Sequence, residues 1–321
     1  MNLSDRSTTT ASTARGYPPP GALIPVNGHR LHLICQGEGS PAVIMETGGP
    51  GIPLGWTLIQ PEVARFTRAC SYDRAGIGWS DPGPQPRSGR TIVAELRTVL
   101  QRGGIEPPYL LVAASFGGHY VRLYASQYPE EVAGLVFVDC SHEDMVASFP
   151  PAMRGVFHLS RYVIGLFAIL ARLGVTRLAG ARLPIVSQLL HEEVPEELRR
   201  QLLWHFARPE QWQGMHAEVK GYQEIEAEVR ASRAARPSFG SIPLVVLTAQ
   251  ATWDDPKLLP PGVKPGEIRP IWLKLQQDLA SLSSQSRHVV FDDLSHTMML
   301  SPAGAQRVVA EIRQIVEAAR S

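Results

Sequence analysis

The sequence contains few cysteines and almost no net charge. Its three cysteines, Cys35, Cys70 and Cys140, are far apart and form no C-x-x-C pair, so neither a zinc site nor a disulfide framework is indicated. We interpret them as buried thiols of a reducing compartment. The 31 Lys and Arg residues are balanced by 30 Asp and Glu residues, which leaves no broad basic surface for a phosphate backbone. Nucleic acid is therefore not an expected partner.

Targeting and cofactor motifs are also missing. The N-terminus has no apolar segment of the kind found in signal peptides, and we predict a disordered leader over residues 1–21. The most apolar helix-like stretch, Tyr162–Leu170, is about half as long as a membrane-spanning helix. No G-x-G-x-x-G follows a strand, and no phosphate-binding loop is present. These absences predict a cytoplasmic protein with no stable membrane insertion, no cofactor and no metal.

What the sequence does contain is an alternation of apolar strands and amphipathic helices. With 44% hydrophobic residues, the chain can bury a large core. Several of the apolar runs have almost no polar interruption, as expected of parallel strands that are buried on both faces. The predicted strands are 23–26, 31–35, 42–46, 68–72, 109–113, 134–139, 243–249 and 288–293. The helical patterns between them predict an α/β fold with helices covering a mostly parallel sheet.

The alternation is interrupted by a long helical segment. Between residues 143 and 240 prolines break the pattern and no convincing strand occurs. We predict a core over 22–142 and 241–321, with 143–240 inserted as a helical cap. Large apolar residues of the cap are candidates for a wall above the site, although half or more of them must form the cap's own core: Phe157, Tyr162, Phe167, Leu170, Leu173, Trp204, Phe206 and Trp212.

One serine lies at a position suited to chemistry. The apolar run YLLVA leads directly into a turn with Ser115, and a helical pattern begins at once. A serine in so tight a strand-to-helix turn has a strained backbone and needs small neighbours two positions away, which Ala113 and Gly117 provide. The turn exposes the hydroxyl and directs the first free amides of the helix towards any oxyanion formed beside it. Ser115 is therefore the candidate nucleophile.

These segments resemble the α/β-hydrolase superfamily. Residues 113–117, AASFG, are similar to its nucleophile elbow G-x-S-x-G, with alanine in place of the first glycine. Residues 47–51, TGGPG, resemble the His-Gly-Gly-Pro-Gly loop of proline iminopeptidases, with threonine at the histidine position, and residues 72–81 resemble a further family segment. The resemblance implies an α/β-hydrolase fold with an eight-stranded, mostly parallel sheet and an inserted helical cap.

A serine alcohol needs a base within hydrogen-bond reach, and the base needs an orienting partner. His296 follows the last predicted strand and precedes the last helix, so it reaches the sheet edge that carries Ser115. It is also similar to the C-terminal histidine of the family. His119, one turn into the helix behind Ser115, is predicted to have a structural role.

Three aspartates are candidates for the acid. In the family order of serine, acid and histidine, the usual acid follows the strand that 243–249 matches, and its usual spacing falls near Thr252. A loop about two residues longer makes Asp254 the first choice, with Asp255 next to it. Asp139, at the carboxyl end of an earlier strand, is the competing candidate, because some members have their acid there.

Two backbone amides are candidates for an oxyanion hole. Phe116 follows the nucleophile directly and supplies the first amide. Pro50 has no N–H, so the natural second donor in the glycine loop is Gly49, with Gly48 adjacent. One such donor typically stabilises a transition state by about 2.7 to 4 kcal/mol.

Together these residues predict a cofactor-independent serine hydrolase that cleaves a carboxylic ester of an apolar small molecule through an acyl-enzyme on Ser115. Three alternatives stay open: an aminopeptidase or amidase of the proline iminopeptidase type, an acyltransferase or thioesterase, and a noncatalytic ligand-binding protein on the same fold. Epoxide hydrolase chemistry is disfavoured, because those relatives have an aspartate where Ser115 stands. An aminopeptidase would need cap carboxylates to hold the substrate amine, for which the candidates are Glu192, Glu193, Glu196 and Glu197.

Overall fold

An eight-stranded sheet forms the centre of the computed structural model, which describes residues 16–49, 51, 53–183, 186, 194–254, 259–297 and 301–320. The strands are β1 (Ala22–Val26), β2 (His29–Gln36), β3 (Ala42–Glu46), β4 (Ala69–Tyr72), β5 (Tyr109–Ala114), β6 (Val132–Val138), β7 (Leu244–Ala249) and β8 (Ser286–Phe291). Their order in the sheet is β1-β2-β4-β3-β5-β6-β7-β8. Strand β2 is antiparallel to both of its neighbours, and all pairs from β4 to β8 are parallel. The predicted mostly parallel, eight-stranded sheet is confirmed.

Helices cover both faces of this sheet. The described α-helices are α1 (Gln60–Val63), α2 (Gly89–Arg102), α3 (Gly117–Gln127), α4 (Met145–Ser148), α5 (Pro151–Arg172), α6 (Val175–Ala179), α7 (Glu196–Ala207), α8 (Pro209–Ala235), α9 (Pro265–Ala280) and α10 (Pro302–Ala318). Helix α2 illustrates why they form. The hydroxyl of Ser88 caps its first turn by accepting from the amide of Thr91, and Ile92, Leu96 and Val99 are buried along one face.

The central strands separate two apolar layers because successive side chains of a strand point to opposite faces. Ile44 of β3 and Leu111 of β5 belong to the layer under α2 and α3. Their neighbours Val43 and Leu110 belong to the opposite layer, which is completed by α1 and α10, including Ile312. Parallel strands buried in this way end at one common edge, where the loops after β5, β6, β7 and β8 meet.

Helices α4 to α8 form one insertion between β6 and β7. Its buried core contains Trp212 together with Ile164 and Ala168 of α5. Two residues that we considered for a wall above the site, Tyr162 and Leu173, are instead 61% and 73% exposed on the outer surface. Helical periodicity predicts that a face is apolar, but it does not indicate what covers that face.

The prediction of three free thiols is wrong. Cys35 of β2 lies directly opposite Cys70 of β4 in the antiparallel register, and the two sulfurs form a disulfide. Cys140 is a free, buried thiol. The spacing of 35 residues along the chain could not predict the bond, because only the register of the two strands brings the cysteines together. Disulfides are typical of oxidising compartments, so the cysteines give no support to a cytoplasmic location.

The predicted leader is too long. The carbonyl of Tyr17 accepts a hydrogen bond from the indole of Trp79 at 2.9 Å. The carbonyl of Pro20 contacts the imidazole of His32 on β2. The chain is therefore already packed against the protein at these positions, and the remainder of the predicted leader, 1–15, lies outside the described residues.

Candidate active site

The turn after β5 holds Ser115 in a strained conformation. Ser115 has a left-handed backbone with φ of +50°, directly before α3 begins at Gly117. Such a conformation is costly for a residue with a side chain and persists where neighbouring contacts fix it. The amide of Ser115 donates to the carbonyl of Val138 at 3.1 Å, and its carbonyl accepts from the amides of Gly118 (3.1 Å) and Ser141 (2.9 Å). The turn is thus tied to the neighbouring strand β6 and to its own helix.

Glycines surround this turn because two pieces of backbone approach closely. A Cβ atom on Gly117 would lie 2.5 Å from the carbonyl oxygen of Thr47. A Cβ atom on Gly48 would lie 2.9 Å from the Cβ atom of Ser115. Larger residues at these two glycines would therefore push the glycine loop away from the serine.

The imidazole of His296 lies beside the serine hydroxyl. The distance from its Nε2 to Oγ of Ser115 is 3.0 Å. The backbone amide of His296, in the loop after β8, donates to the hydroxyl of Thr252 in the loop after β7. A neutral imidazole with its proton on Nδ1 offers the lone pair of Nε2 to the hydroxyl, which is the arrangement of a general base.

The carboxylate beside the imidazole belongs to Asp139. Its Oδ2 lies 2.7 Å from Nδ1 of His296. Its Oδ1 accepts from the indole N–H of Trp272 at 2.9 Å and from the amide of Ala249 at 3.0 Å. Asp139 follows the last residue of β6, has a left-handed φ of +46° and is 1% exposed. The two donors on Oδ1 leave Oδ2 free to accept the imidazole proton.

Asp254, our first choice for the acid, is therefore wrong. Its side chain is 48% exposed and forms an ion pair with Arg269 at 3.5 Å. Asp255 lies outside the described residues. The residue at the usual family spacing is Thr252, which holds the backbone of His296 instead. Because β6 and β7 end at the same edge of the sheet, counting residues after β7 cannot exclude an acid that comes from β6.

The pKa of His296 depends on its partner. Burial lowers this pKa, but the hydrogen bond and the negative charge of Asp139 raise it by more, so the pKa lies above the ordinary histidine value. The imidazolium that forms when the base takes a proton is thereby stabilised. In α3, by contrast, burial and the charge of Arg122 hold the pKa of His119 well below its ordinary value. The ring of His119 stacks on Phe116, which is a structural position.

A buried arginine fixes the glycine loop. The guanidinium of Arg74 donates to the carbonyls of Thr47 and Gly48, both at 2.9 Å, and pairs with the carboxylates of Glu46 and Glu218. In a trans peptide the carbonyl and the following N–H point in opposite directions. The carbonyl of Gly48 points to Arg74, so the N–H of Gly49 points away from the guanidinium. This N–H takes no part in the hydrogen bonds around Arg74. The proline of the loop, residue 50, lies outside the described residues.

Helix α8 closes the site with Tyr222, which the sequence reasoning missed. The ring of Tyr222 stacks on Phe116 with 3.7 Å between the ring centroids. A Cβ atom on Gly49 would lie 2.0 Å from the hydroxyl oxygen of Tyr222. This hydroxyl is buried and has no hydrogen-bond partner among the described residues. Nothing in the helical pattern distinguishes Tyr222 from the other residues of α8, so only the contact with Phe116 reveals it.

Comparison with known proteins identifies the fold. The family model of the alpha/beta hydrolase fold matches residues 41–163, a segment that includes both Ser115 and Asp139. The chain has the α/β-hydrolase fold. Two solved structures are similar to this chain over nearly its whole length. A malate-bound esterase from Thermogutta terrifontis is 19% identical with a TM-score of 0.64, covering 93% of this chain and 97% of the esterase. A protein described as a candidate epoxide hydrolase from Pseudomonas aeruginosa is 20% identical with a TM-score of 0.67, covering 93% and 96%.

Curated relatives match a shorter part of the chain. The 2-hydroxymuconate semialdehyde hydrolase of Pseudomonas sp. (strain CF600) is 32% identical over 124 residues, which are 38% of this chain and 44% of that protein. An uncharacterized protein of Schizosaccharomyces pombe is 33% identical over 123 residues, 38% of this chain and 22% of that protein. The chain spans less than half of the length of these relatives. The similarity thus establishes the α/β-hydrolase fold, which does not by itself fix a substrate.

Proposed function

We propose that the protein is a serine hydrolase that cleaves carboxylic esters of apolar small molecules. The observation that carries the proposal is the continuous chain of hydrogen bonds from Ser115 through His296 to Asp139, with distances of 3.0 and 2.7 Å. A nucleophile, a base and an orienting acid are recognised by this geometry and not by their positions in the sequence.

The reaction follows from the roles of these groups. Oγ of Ser115 attacks the ester carbonyl carbon while Nε2 of His296 takes the hydroxyl proton, and Asp139 stabilises the imidazolium. The amides of Phe116 and Gly49 donate hydrogen bonds to the tetrahedral oxyanion. Collapse of this intermediate breaks the ester C–O bond, and the alcohol leaves with the proton from His296. Water then attacks the acyl-enzyme with His296 as base, which releases the carboxylic acid and restores the serine.

A serine nucleophile favours ester cleavage over epoxide opening. Attack of Ser115 on an ester gives an acyl-enzyme, which is itself an ester and can be hydrolysed. Attack on an epoxide carbon would give an alkyl ether of the serine, and water cannot readily release a product from an ether. The nucleophile therefore supports acyl transfer to water as the reaction class.

The surroundings of the triad support an apolar substrate. Trp272, which donates to the carboxylate of Asp139, belongs to a buried apolar cluster that also includes Phe149 and Trp253. The ring of Phe116, the residue directly after the serine, stacks on Tyr222 and adds further aromatic surface. Transfer of an alkyl or aryl group of an ester from water into such surroundings lowers the free energy of the complex.

The aminopeptidase alternative has less support. A substrate amine needs a carboxylate that is not already paired. Glu218 lies close to the glycine loop, but its carboxylate already accepts two hydrogen bonds from Arg74, of 2.9 and 2.8 Å. Of the cap carboxylates suggested by the sequence, Glu196 and Glu197 are 69% and 54% exposed and lie near arginines of their own helix. Residues 192 and 193 lie outside the described residues.

Active-site labelling tests the proposal directly. The wild-type protein should react with a fluorophosphonate probe, and peptide mass spectrometry should locate the adduct on Ser115. It should also hydrolyse short p-nitrophenyl esters, whereas Ser115→Ala should lose both properties. Ser281→Ala, a change of an exposed serine, serves as the matched control and should retain both.

The competing functions give different results. Turnover by Ser115→Ala would refute Ser115 as the nucleophile, and a wild-type protein that stays unlabelled and inactive would favour a binding protein. A panel of esters, thioesters and amides, with mass spectrometric detection of the acyl adduct, separates the hydrolase classes. Faster adduct formation from an amide or a thioester than from the matched ester would contradict the ester assignment.

A further inference from the structure

Helix α5 carries an exposed apolar face. Among the described residues, the large hydrophobic side chains that are strongly exposed lie between residues 156 and 178, apart from Val290 on β8. On α5 they include Leu159 (58% exposed), Leu166 (54%) and Ile169 (60%). Leu166 follows Leu159 by seven residues and Ile169 follows Leu166 by three, so the three side chains form one stripe along the helix. A stripe of this kind on a soluble protein usually marks a contact surface.

The opposite face of α5 anchors the helix to the protein. Ile164, Ala168 and Ala171 are buried against the core of the insertion. The helix has 22 residues and is long and apolar enough, by length and composition, to cross a membrane, yet only 17% of its most apolar window is buried inside the protein. Its two ends lead back to strands β6 and β7, which pair with each other in one sheet. The helix is about 33 Å long. While this fold is intact, α5 can lie along the surface of a membrane but cannot cross a bilayer.

The charges around the stripe have one sign. Residues 151–183 contain five arginines and no aspartate or glutamate. Arg154, Arg161 and Arg172 are separated by seven and eleven residues, so they form a row beside the apolar stripe. None of these three has an ion pair with a described residue. A groove between α5 and α8 continues the stripe, and its described lining contains Arg172 and Lys220 but no carboxylate.

We propose that this surface, α5 with its row of arginines, binds the surface of an anionic phospholipid bilayer. An amphipathic helix with an apolar face and neighbouring basic residues has the composition of helices that lie in the plane of a membrane interface. Leucine-sized side chains enter the boundary between headgroups and acyl chains, and the arginines contact the anionic headgroups. The protein lies on the membrane through the insertion, while the sheet stays in water.

A second copy of the chain is a less suitable occupant. A twofold contact through this face would bring the same surface patch together from both copies. Each copy would then present its arginine row to the other, with no carboxylate in residues 151–183 to pair with it. A bilayer with anionic lipid provides both the apolar interior and the negative charge that this face requires.

Vesicle co-sedimentation tests the proposal independently of catalysis, because it is carried out with both the wild-type protein and Ser115→Ala. Both should bind vesicles of phosphatidylcholine that contain phosphatidylglycerol, bind vesicles of phosphatidylcholine alone more weakly, and lose binding as salt is raised. Replacing Leu159, Leu166 and Ile169 by serine should weaken binding by about fivefold for each half-exposed side chain removed. The matched control is Val290→Ser, which removes an exposed apolar residue elsewhere and should bind as the wild type does.

The charge contribution has its own variants. Replacing Arg154, Arg161 and Arg172 by glutamine should weaken binding to the anionic vesicles by about fivefold per arginine. The control carries the same change at Arg65, Arg90 and Arg307, which lie on other surfaces, and should have little effect. No binding by the wild type, equal binding to both vesicle types, or a stable dimer that the serine variant dissociates would each overturn the proposal. If the triple variants do not fold, the wild-type protein alone tests the proposal. Its binding to anionic vesicles should weaken as salt is raised, and binding that does not change with salt would contradict the proposal.

Discussion

Replacing Asp139 by asparagine should stop acyl-enzyme formation by fixing the wrong tautomer of His296. The indole N–H of Trp272 and the amide of Ala249 both donate to Oδ1 of Asp139, at 2.9 and 3.0 Å. Both donors need an acceptor at this position. An asparagine therefore keeps its carbonyl oxygen at this position and turns its NH₂ group towards the imidazole. Nδ1 of His296 must then accept a hydrogen bond, so the ring proton moves to Nε2.

A proton on Nε2 faces the hydroxyl of Ser115 and prevents the imidazole from acting as a base. We expect kcat to fall on the order of 10⁴-fold, which corresponds to about 5 kcal/mol of transition-state stabilisation. The assay is single-turnover acylation with a p-nitrophenyl ester. The matched variant, Asp254→Asn, changes an exposed aspartate that does not contact the imidazole and should retain activity within about twofold.

The reverse result would refute the reasoning about the acid. If Asp254→Asn lost most of its activity and Asp139→Asn kept it, the acid would have to come from the loop after β7 in the working enzyme. Thermal unfolding of both variants separates such a result from a folding defect, because Asp139 is buried and its replacement also changes a packed hydrogen-bond network.

Three further results are expected. Only the neutral imidazole of His296 accepts a proton, so kcat/KM should fall as the pH drops through its raised pKa, with a midpoint above the ordinary value of 6.5; a midpoint below that value would contradict the geometry. Replacing Cys35 and Cys70 by serine should lower the free energy of unfolding by up to about 4 kcal/mol, the loop-closure value for their separation of 35 residues, and equal urea midpoints of both forms would contradict the disulfide. Gly49→Ala introduces a Cβ atom 2.0 Å from the hydroxyl of Tyr222 and should lower kcat/KM by about 10²-fold, as the loss of one oxyanion donor does. Adding Tyr222→Phe removes that oxygen and should restore part of the activity; if the double variant recovers none, the clash is not the cause.

The sequence was informative where a property is local. Strands such as β3 and β5 are almost uninterrupted apolar runs, so their burial on both faces could be predicted without a structure. The turn at Ser115 needs small residues at fixed offsets, and His296 is brought close by the order of the last strand and helix. Each of these features is determined by a few neighbouring residues or by the order of elements.

The features that were missed depend on distances between distant segments. Asp139 and Asp254 both follow parallel strands, and only the path of the chain after β6 decides which carboxylate contacts the imidazole. The disulfide depends on the register of two antiparallel strands, and the position of Tyr222 depends on how α8 crosses the sheet edge. Periodicity likewise revealed an apolar α5 but gave no means of knowing that much of its apolar surface stays uncovered.

The position of the acid also has a consequence for exchanging parts between related enzymes. Only five residues separate Asp139 from α4, the first helix of the insertion, so the carboxylate and the start of the insertion share one short connector. A chimera that takes its insertion from another hydrolase should therefore be joined after this connector and not directly at the end of β6. Grafts cut at the strand itself would replace Asp139 and the connector that follows it, and substrate preference could not then be varied separately from turnover.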